Sequence, residues 1–295
     1  MIFSVVIPTF NRPVSLRRAV QSCLNQNFDG VFEIIVVNDG GQYVSAADLP
    51  NSRAIDVRIE NIVNGGVSEA RNHGIAKAQG RWILLLDDDD FFLPNHLSII
   101  GQHLPFVPES VGWISTDCLQ LRLRGTQLHI AKKSGQLSVQ DFLAWDAITT
   151  NVSCFRKSFH SPFPSKIKYL EDFEHRLKII RQGGYYRINE VTSVFDSTHQ
   201  SATNGTLESH EMIEEYLRRF DQIFSEFPEF EKFKDRRKAS WLWRKFSDLS
   251  LALGRKEIWS ICWVLAANLH RIRRVNVKDF VSITLKRLFA NQNSS

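Results

Sequence analysis

The sequence is short of the residues that build disulfide scaffolds, metal cages and membrane spans. It has four cysteines and two methionines in 295 residues. Cys23, Cys118, Cys154 and Cys262 lie far apart, with no Cys-x-x-Cys pair and no Cys/His cluster. That spacing excludes a zinc module or a stapled scaffold and predicts unpaired thiols. No apolar run approaches the ~20 residues of a membrane-spanning helix. The best candidate, IWSICWVLAANL at 258–269, carries Asn268 and reads as a buried helix. The chain opens directly on the strand-like MIFSVVIPTF, without the basic segment and apolar run of a secretory leader, so none is expected. Internal repeats and low-complexity linkers are missing too.

What is present is an ordinary globular composition, 43% hydrophobic and 23% charged, long enough for one large domain or a catalytic domain with an appendage. The net charge of +5 is unevenly spread. Residues 1–204 hold 20 basic and 20 acidic side chains, residues 205–231 hold 2 and 8, and residues 232–295 hold 15 and 4. The basicity therefore belongs to the tail and suggests an anionic partner there, such as a lipid surface, rather than a basic active site. Nucleic acid, the other polyanion such a stretch can meet, is not expected.

The first hundred residues alternate β-branched runs with helical spacing. FSVVIPT reads as a strand; from Pro13, Leu16, Val20, Cys23 and Leu24 recur at helical spacing; FEIIVVNDGG is an apolar strand ending in a turn. A short strand around AIDVRIE, a helix through GGVSEARNHGIAKAQG and a strand RWILLL follow. Uninterrupted apolar strands separated by helices predict an α/β fold with a mainly parallel sheet covered by flanking helices. From 111 to 204 the pattern is less regular, with strands at VGWIS and YYRINEVTSVF and a helix over EDFEHRLKIIRQGG. After 205 only helices are expected. The first is a stripe of Met212, Tyr216, Phe220, Ile223 and Phe227 closed by Pro228; a Trp-rich segment and a basic final helix follow. The expected division is 1–204 and an all-helical extension, 205–295.

In open α/β sheets, ligands bind beyond the carboxyl ends of the strands. Three polar clusters sit at such ends: PTFNRP, NDGG and the run Asp87–Asp90. A run of four carboxylates can be a solvated loop, but this one lies between ILLL and FFLP. Hard cations such as Mg²⁺ or Mn²⁺ offset such repulsion, and one or two carboxylates plus substrate phosphates complete their shell. Zinc does not suit a set without clustered Cys or His.

The series VVIPTFNRP, VVNDGG, NGGVSEARNHG, GRWILLLDDDDFFLP and YLEDFEHRLKI resembles the nucleotide-sugar-dependent glycosyltransferases of family 2, which have the GT-A fold. The likeness covers about residues 1–200, in the family's order. It implies an inverting, metal-dependent transferase that takes its sugar from a nucleotide donor, UDP-linked in the first instance, and passes it to a saccharide or lipid-linked acceptor. The family's D-x-D-D pattern phases the run. Asp87 and Asp89 become the D-x-D pair, with Asp89 a metal ligand and Asp87 on the donor ribose or beside the metal. Asp88 lies between them on the donor side or as a spacer. In an extended segment Asp87 and Asp89 would point one way and Asp88 the other.

The resemblance also implies a donor site from Pro8, Thr9, Phe10 and Arg12 of PTFNRP, with Phe10 offering a stacking face or serving as a core aromatic. Asp39 matches the uracil-recognising aspartate, or is a turn residue before Gly40; Asn38 and Gly41 depart from the family's usual residues. Arg71 would approach the diphosphate, with the glycines ahead of its helix suited to an anion, or Ala70 and Gly74 simply pack the helix closely. Asp172, with Glu171 as the alternative, matches the catalytic base; the competing reading is that both merely charge a helix's first turn. A sugar hydroxyl is a poor nucleophile at neutral pH and needs such a proton acceptor. His175 reads as a surface residue. His199 sits where the family often carries a histidine that reaches the metal or diphosphate.

Two other classes share part of this pattern. A sugar-phosphate nucleotidyltransferase would want a glycine-rich phosphate loop after the first strand, which PTFNRP lacks. A non-catalytic nucleotide-sugar-binding or membrane adaptor would keep Asp39 and the aspartates but need no base. The tail fits either a peripheral contact with an anionic membrane, with the protein on its cytoplasmic face, or an ordinary solvated helix face.

Overall fold

The first two strands form around the apolar runs Val5–Ile7 and Ile34–Val37: β1 (Phe3–Thr9) and β2 (Phe32–Asp39) are buried at every position. The structure, a computed structural model, describes residues 1–234 apart from 51, 53–54, 123–124, 130–132, 146–149, 166, 168 and 199–209. Between the two strands runs α1 (Pro13–Leu24), opened by a proline and burying Leu16, Ala19, Val20 and Cys23 at helical spacing. β3 (Asp56–Ile62) pairs with β2, α2 (Val67–Lys77) crosses back, and β4 (Trp82–Leu85) pairs with β1. These four strands lie in the order β3-β2-β1-β4, all parallel.

Beyond β4 the sheet becomes mixed. β9 (Ser153–Arg156) runs antiparallel between β4 and β6 (Trp113–Arg122), and β6 pairs in parallel with β10 (Tyr185–Asp196). The short β5 (Phe91–Phe92) lies antiparallel on β10. Among the described residues the sheet has ten strands, with β7 (Gly125–His129) on β6 and β8 (Gly135–Leu137) on β10; the short helix α4 (Val139–Trp145) follows β8. The parallel part coincides with the regular strand–helix alternation. β5, β7, β8 and β9 are antiparallel additions, a pairing that demands no helical crossover.

Side-chain alternation divides the sheet into two faces. Val5, Ile7, Ile34, Val36, Leu84, Ile114 and Cys154 form one core with α1 and with Leu97 and Ile100 of α3 (His96–His103). On the other face Gly74 of α2 lies against Val6 and Val37, and α5 (Glu171–Gly183) sets His175 against Trp113 and Phe155. α2 and α5 thus share a face. Cys23, Cys118 and Cys154 are buried and outside any disulfide, as the spacing predicts; Cys262 lies outside the described residues.

The chain divides into two compact units, Met1–Thr206 and Leu207–Ser295. In the second, α6 (His210–Glu226) buries Phe220 and Ile223, and a turn from Pro228 follows it. The Trp-rich segment and the basic helices expected after it lie outside the described residues. No described helix is long and apolar enough to cross a membrane.

Candidate active site

The carboxyl ends of β1, β2 and β4 bring the three polar clusters together. After β4 the chain does not stay extended: Asp90 N–H donates to the Asp87 carbonyl at 3.0 Å, closing a turn. The expectation that Asp88 points away from Asp89 is corrected by that turn, since strand alternation holds only while the backbone is extended. One Arg12 nitrogen, Nη1, instead reaches Asp88 Oδ1 at 3.0 Å and Asp89 Oδ2 at 2.8 Å. Asp88 is no spacer. It is buried, and its other oxygen accepts the Thr9 hydroxyl at 2.7 Å, which ties the turn to the end of β1.

Burial together with like charge works against this turn, and hydrogen bonds and arginines oppose both. Burial pushes the Asp88 carboxyl up to about 6, against the pull of Thr9 and Arg12. Asp90 is raised well above the usual range, by burial first and then by Asp87. Its Oδ1 accepts the Asp196 amide at 2.9 Å, so its role is to join the turn to β10. Arg18, from α1, donates to the Asp89 carbonyl at 2.5 Å and to Asp196 at 2.7 Å. Arg71, from α2, holds Asp87 at 2.7 Å.

Arg71 also carries the site across to α5. It is only 4% exposed, and its second nitrogen lies 3.5 Å from Glu171. Burial would lower its pKa, but Asp87 and Glu171 outweigh that and hold its charge. Leu170, in the left-handed region at φ 61°, begins α5 abruptly and places Glu171 and Asp172 in the first turn. Burial, with Asp172 beside it, pushes Glu171 up to about 7 against the attraction of Arg71. Asp172 differs in exposure: its side chain is 37% accessible, and its Oδ2 pairs with Arg176 one turn later at 2.9 Å.

Phe10 is 48% exposed at the end of β1, so the core-aromatic reading is excluded. Pro8 and Thr9 close β1 beside Val37 and Asn38 of β2. Asp39 does stand at a tight turn, for Gly40 has φ +76° and a Cβ there would meet Asn64 N at 2.5 Å. Its carboxylate nevertheless reaches further, accepting the Gly65 and Gly66 amides at 2.8 and 2.9 Å. Those two amides ahead of α2, expected to suit an anion, therefore meet one supplied by the chain itself. His175 is not a surface residue: it is fully buried, stacked on Phe163 at 3.8 Å with Nε2 3.2 Å from His160 Nδ1. The inward face of α5 demands that burial, which with His160 and Arg176 keeps the imidazole neutral. His199 lies outside the described residues.

Residues 4–159 match the sequence profile described as Glycosyl transferase family 2. This chain belongs to the family 2 glycosyltransferases. Among its relatives, a putative colanic acid biosynthesis glycosyl transferase of Escherichia coli, WcaA, is 27% identical over 67% of this chain and 73% of its own. The GalNAc(5)-diNAcBac-PP-undecaprenol beta-1,3-glucosyltransferase of Campylobacter jejuni is 30% identical over 52% of each chain. A crystal structure of S. aureus TarS holding UDP-GlcNAc superposes with a TM-score of 0.63 at 18% identity, covering 90% of this chain and 80% of that one. The last likeness establishes the GT-A fold.

For a family 2 glycosyltransferase the donor set is informative. Asp87 and Asp89 offer hard oxygens from a single turn, and no group of three or more His, Cys, Asp or Glu forms a metal cage among the described residues. That set fits Mg²⁺ or Mn²⁺ completed by diphosphate and water, and fits zinc poorly. Two parts of the site had no sequence signal of their own. Phe163, in the irregular SPFPS stretch, lies under the Arg71 guanidinium at 5.4 Å and is clamped by Asn72. The Asn72 side chain donates to the Phe163 carbonyl at 2.9 Å and accepts its amide at 2.8 Å. Arg18 could have been suspected only by asking which cations neutralise four aspartates.

Proposed function

We propose that this family 2 glycosyltransferase is an inverting, Mn²⁺- or Mg²⁺-dependent enzyme. It moves a sugar from a UDP-linked donor to a hydroxyl of a saccharide or lipid-linked acceptor. The observation that carries this reading is Arg71, one guanidinium touching both the aspartate turn and the acid pair of α5. Three elements, the turn after β4, α2 and α5, thereby meet at one guanidinium, with carboxylates on both sides of it.

In this reading Asp172 accepts the proton of the acceptor hydroxyl as that oxygen attacks the anomeric carbon. The bond from that carbon to the diphosphate oxygen breaks from the opposite side, so the centre inverts and the nucleoside diphosphate departs. Arg176 orients Asp172, and exposure leaves it accessible to an acceptor. Glu171, buried against Arg71, positions that arginine between the two halves of the site. Phe10, Pro8, Thr9 and Asp39 line the nucleoside side; Asp87, Asp88, Arg12 and Arg71 line the diphosphate side. A bound divalent ion, held by Asp89 and Asp87, supplies positive charge for the departing diphosphate. His199 remains a candidate third ligand.

The C. jejuni relative is named for a lipid-linked glycan, and the E. coli relative for colanic acid biosynthesis. Together with the basic stretch 232–295 these names support a role in cell-surface polysaccharide or glycolipid assembly. The protein would act peripherally at the cytoplasmic face of an anionic membrane. The test is Mn²⁺-dependent release of UDP from a panel of UDP-sugars. Turnover should stop with EDTA and return with Mn²⁺, and Asp172→Asn should lower it about 10²–10⁴-fold. Undiminished turnover in Asp172→Asn refutes the assignment of the base. Consumption of nucleoside triphosphate plus sugar phosphate, with no UDP released, refutes the reaction.

A further inference from the structure

Three guanidinium groups hold the aspartate turn, Arg71 and Arg12 through its carboxylates and Arg18 through the Asp89 carbonyl, and they are not held alike. Arg71 is buried and fixed by Glu171 and the Phe163 ring as well as by Asp87. Arg18 is fixed by Asp196 and lies over the Phe91 ring at 4.8 Å. Among the described residues the Arg12 side chain has only the turn: both its ion pairs, 3.0 Å to Asp88 and 2.8 Å to Asp89, leave from the same nitrogen. Exposure does not separate it from Arg18, at 32% against 37%; the missing second anchor does, together with its place just before α1, outside the helix. Of the three it is the cation free to leave. It also occupies an oxygen of Asp89, the carboxylate that the proposed function gives to the metal.

We propose that Arg12 is the resident counter-ion of Asp89 and makes metal binding depend on the nucleotide. This inference rests on the reading of Asp89 as a metal ligand. A divalent ion arriving alone must share or displace a guanidinium already on its carboxylate, and the two cations repel. At a separation of several ångström in a partly wet site, that repulsion weakens metal binding by about tenfold. A nucleoside diphosphate brings negative charge of its own. It gives the displaced guanidinium a new acceptor, for which a planar fork of donors is well suited. Arg12 is thus a positioning residue: it offsets the charge of Asp88 and Asp89 before the donor arrives, then transfers its own charge to the diphosphate.

The test is Mn²⁺ titration of the full chain, followed by the EPR signal of free Mn²⁺, with and without saturating UDP. Arg12→Gln and Arg12→Met should each bind Mn²⁺ alone about tenfold more tightly than the unaltered protein, so that the gain on adding UDP shrinks. Arg12→Lys should stay close to the unaltered protein, and Asp89→Asn in the Arg12→Gln background should cancel the gain. A merely structural Arg12 predicts the opposite sign, with weaker Mn²⁺ binding because the turn loosens; that result, or no change, overturns the inference. Loss of folding in both neutral variants overturns it too, since a removable counter-ion is not the turn's main support. If Asp89→Asn weakens Mn²⁺ binding with UDP present while Arg12→Gln leaves binding of Mn²⁺ alone unchanged, only the role of Arg12 fails. If Asp89→Asn has no effect with UDP, the metal site itself is misassigned.

Discussion

Glu171 is a buried carboxyl held at an energetic cost, and replacing it with glutamine should stabilise the protein in a pH-dependent way. Its ordinary value of 4.5 rises to about 7, because burial and the neighbouring Asp172 outweigh the attraction of Arg71. At about 1.4 kcal/mol per tenfold change, that rise is worth at most about 3 kcal/mol. The sign follows from proton binding. Below pH 4.5 the carboxyl is protonated in both folded and unfolded chains, and its contribution to stability is complete. As the pH climbs towards 7 the unfolded chain releases the proton more readily, and the contribution is lost. Glutamine resembles the protonated carboxyl and loses nothing over this range. Glu171→Gln should therefore match the unaltered protein near pH 4.5 and exceed it by about 2–3 kcal/mol above pH 8. The contact to Arg71, 3.5 Å long, is weak enough that losing its charge does not reverse the balance. Urea denaturation followed by tryptophan fluorescence, repeated from pH 4.5 to 8.5 for both proteins, measures the difference. A gap that does not grow with pH, or a glutamine variant less stable at pH 8.5, refutes the claim that burial dominates at Glu171.

Other outcomes follow from packing. A methyl group at Gly74 would meet Val6 Cγ1 at 2.4 Å and Val37 Cγ2 at 3.1 Å. Gly74→Ala should lower the melting temperature, because overpacking costs about 1–3 kcal/mol against the ~1 kcal/mol of helix propensity gained. A rise in melting temperature would show that α2 does not lie so close to β1. Asn72→Ala should cost about 2–4 kcal/mol in urea denaturation, since it leaves both backbone groups of buried Phe163 unpaired. Asn72→Asp keeps the acceptor but sets a carboxylate against the Phe163 carbonyl. Its deficit should shrink as the pH falls towards about 4, where a protonated carboxyl can donate again. A deficit constant with pH would mean that the donor half of the clamp contributes little.

Much of this protein is settled by local sequence. Short apolar runs in β1, β2 and β4, β-branched in the first two, read as buried strands, and Pro13 with Leu16, Val20 and Cys23 reads as the opening of an amphipathic helix. Short motifs at strand ends then mark the site, because parallel strands deliver their carboxyl ends to one edge. Local sequence settles neither which way a side chain points once the backbone turns nor which distant groups it meets. The turn at Asp87–Asp90 overrode the alternation an extended chain would give and placed Asp88 and Asp89 on a single arginine 76 and 77 residues earlier. His175 has no sequence feature that separates a surface imidazole from one packed between Phe163 and His160; only the docking of α5 on the sheet decided it. The link from Asp87 through Arg71 to Glu171 spans residues 16 and 100 positions apart. Motif spacing names its members, but their contact depends on α2 and α5 packing on the same face of the sheet. Residue type and periodicity are properties of the chain, whereas burial, charge pairing and the pKa of Glu171 are properties of the assembled fold, where desolvation and distance set the energies.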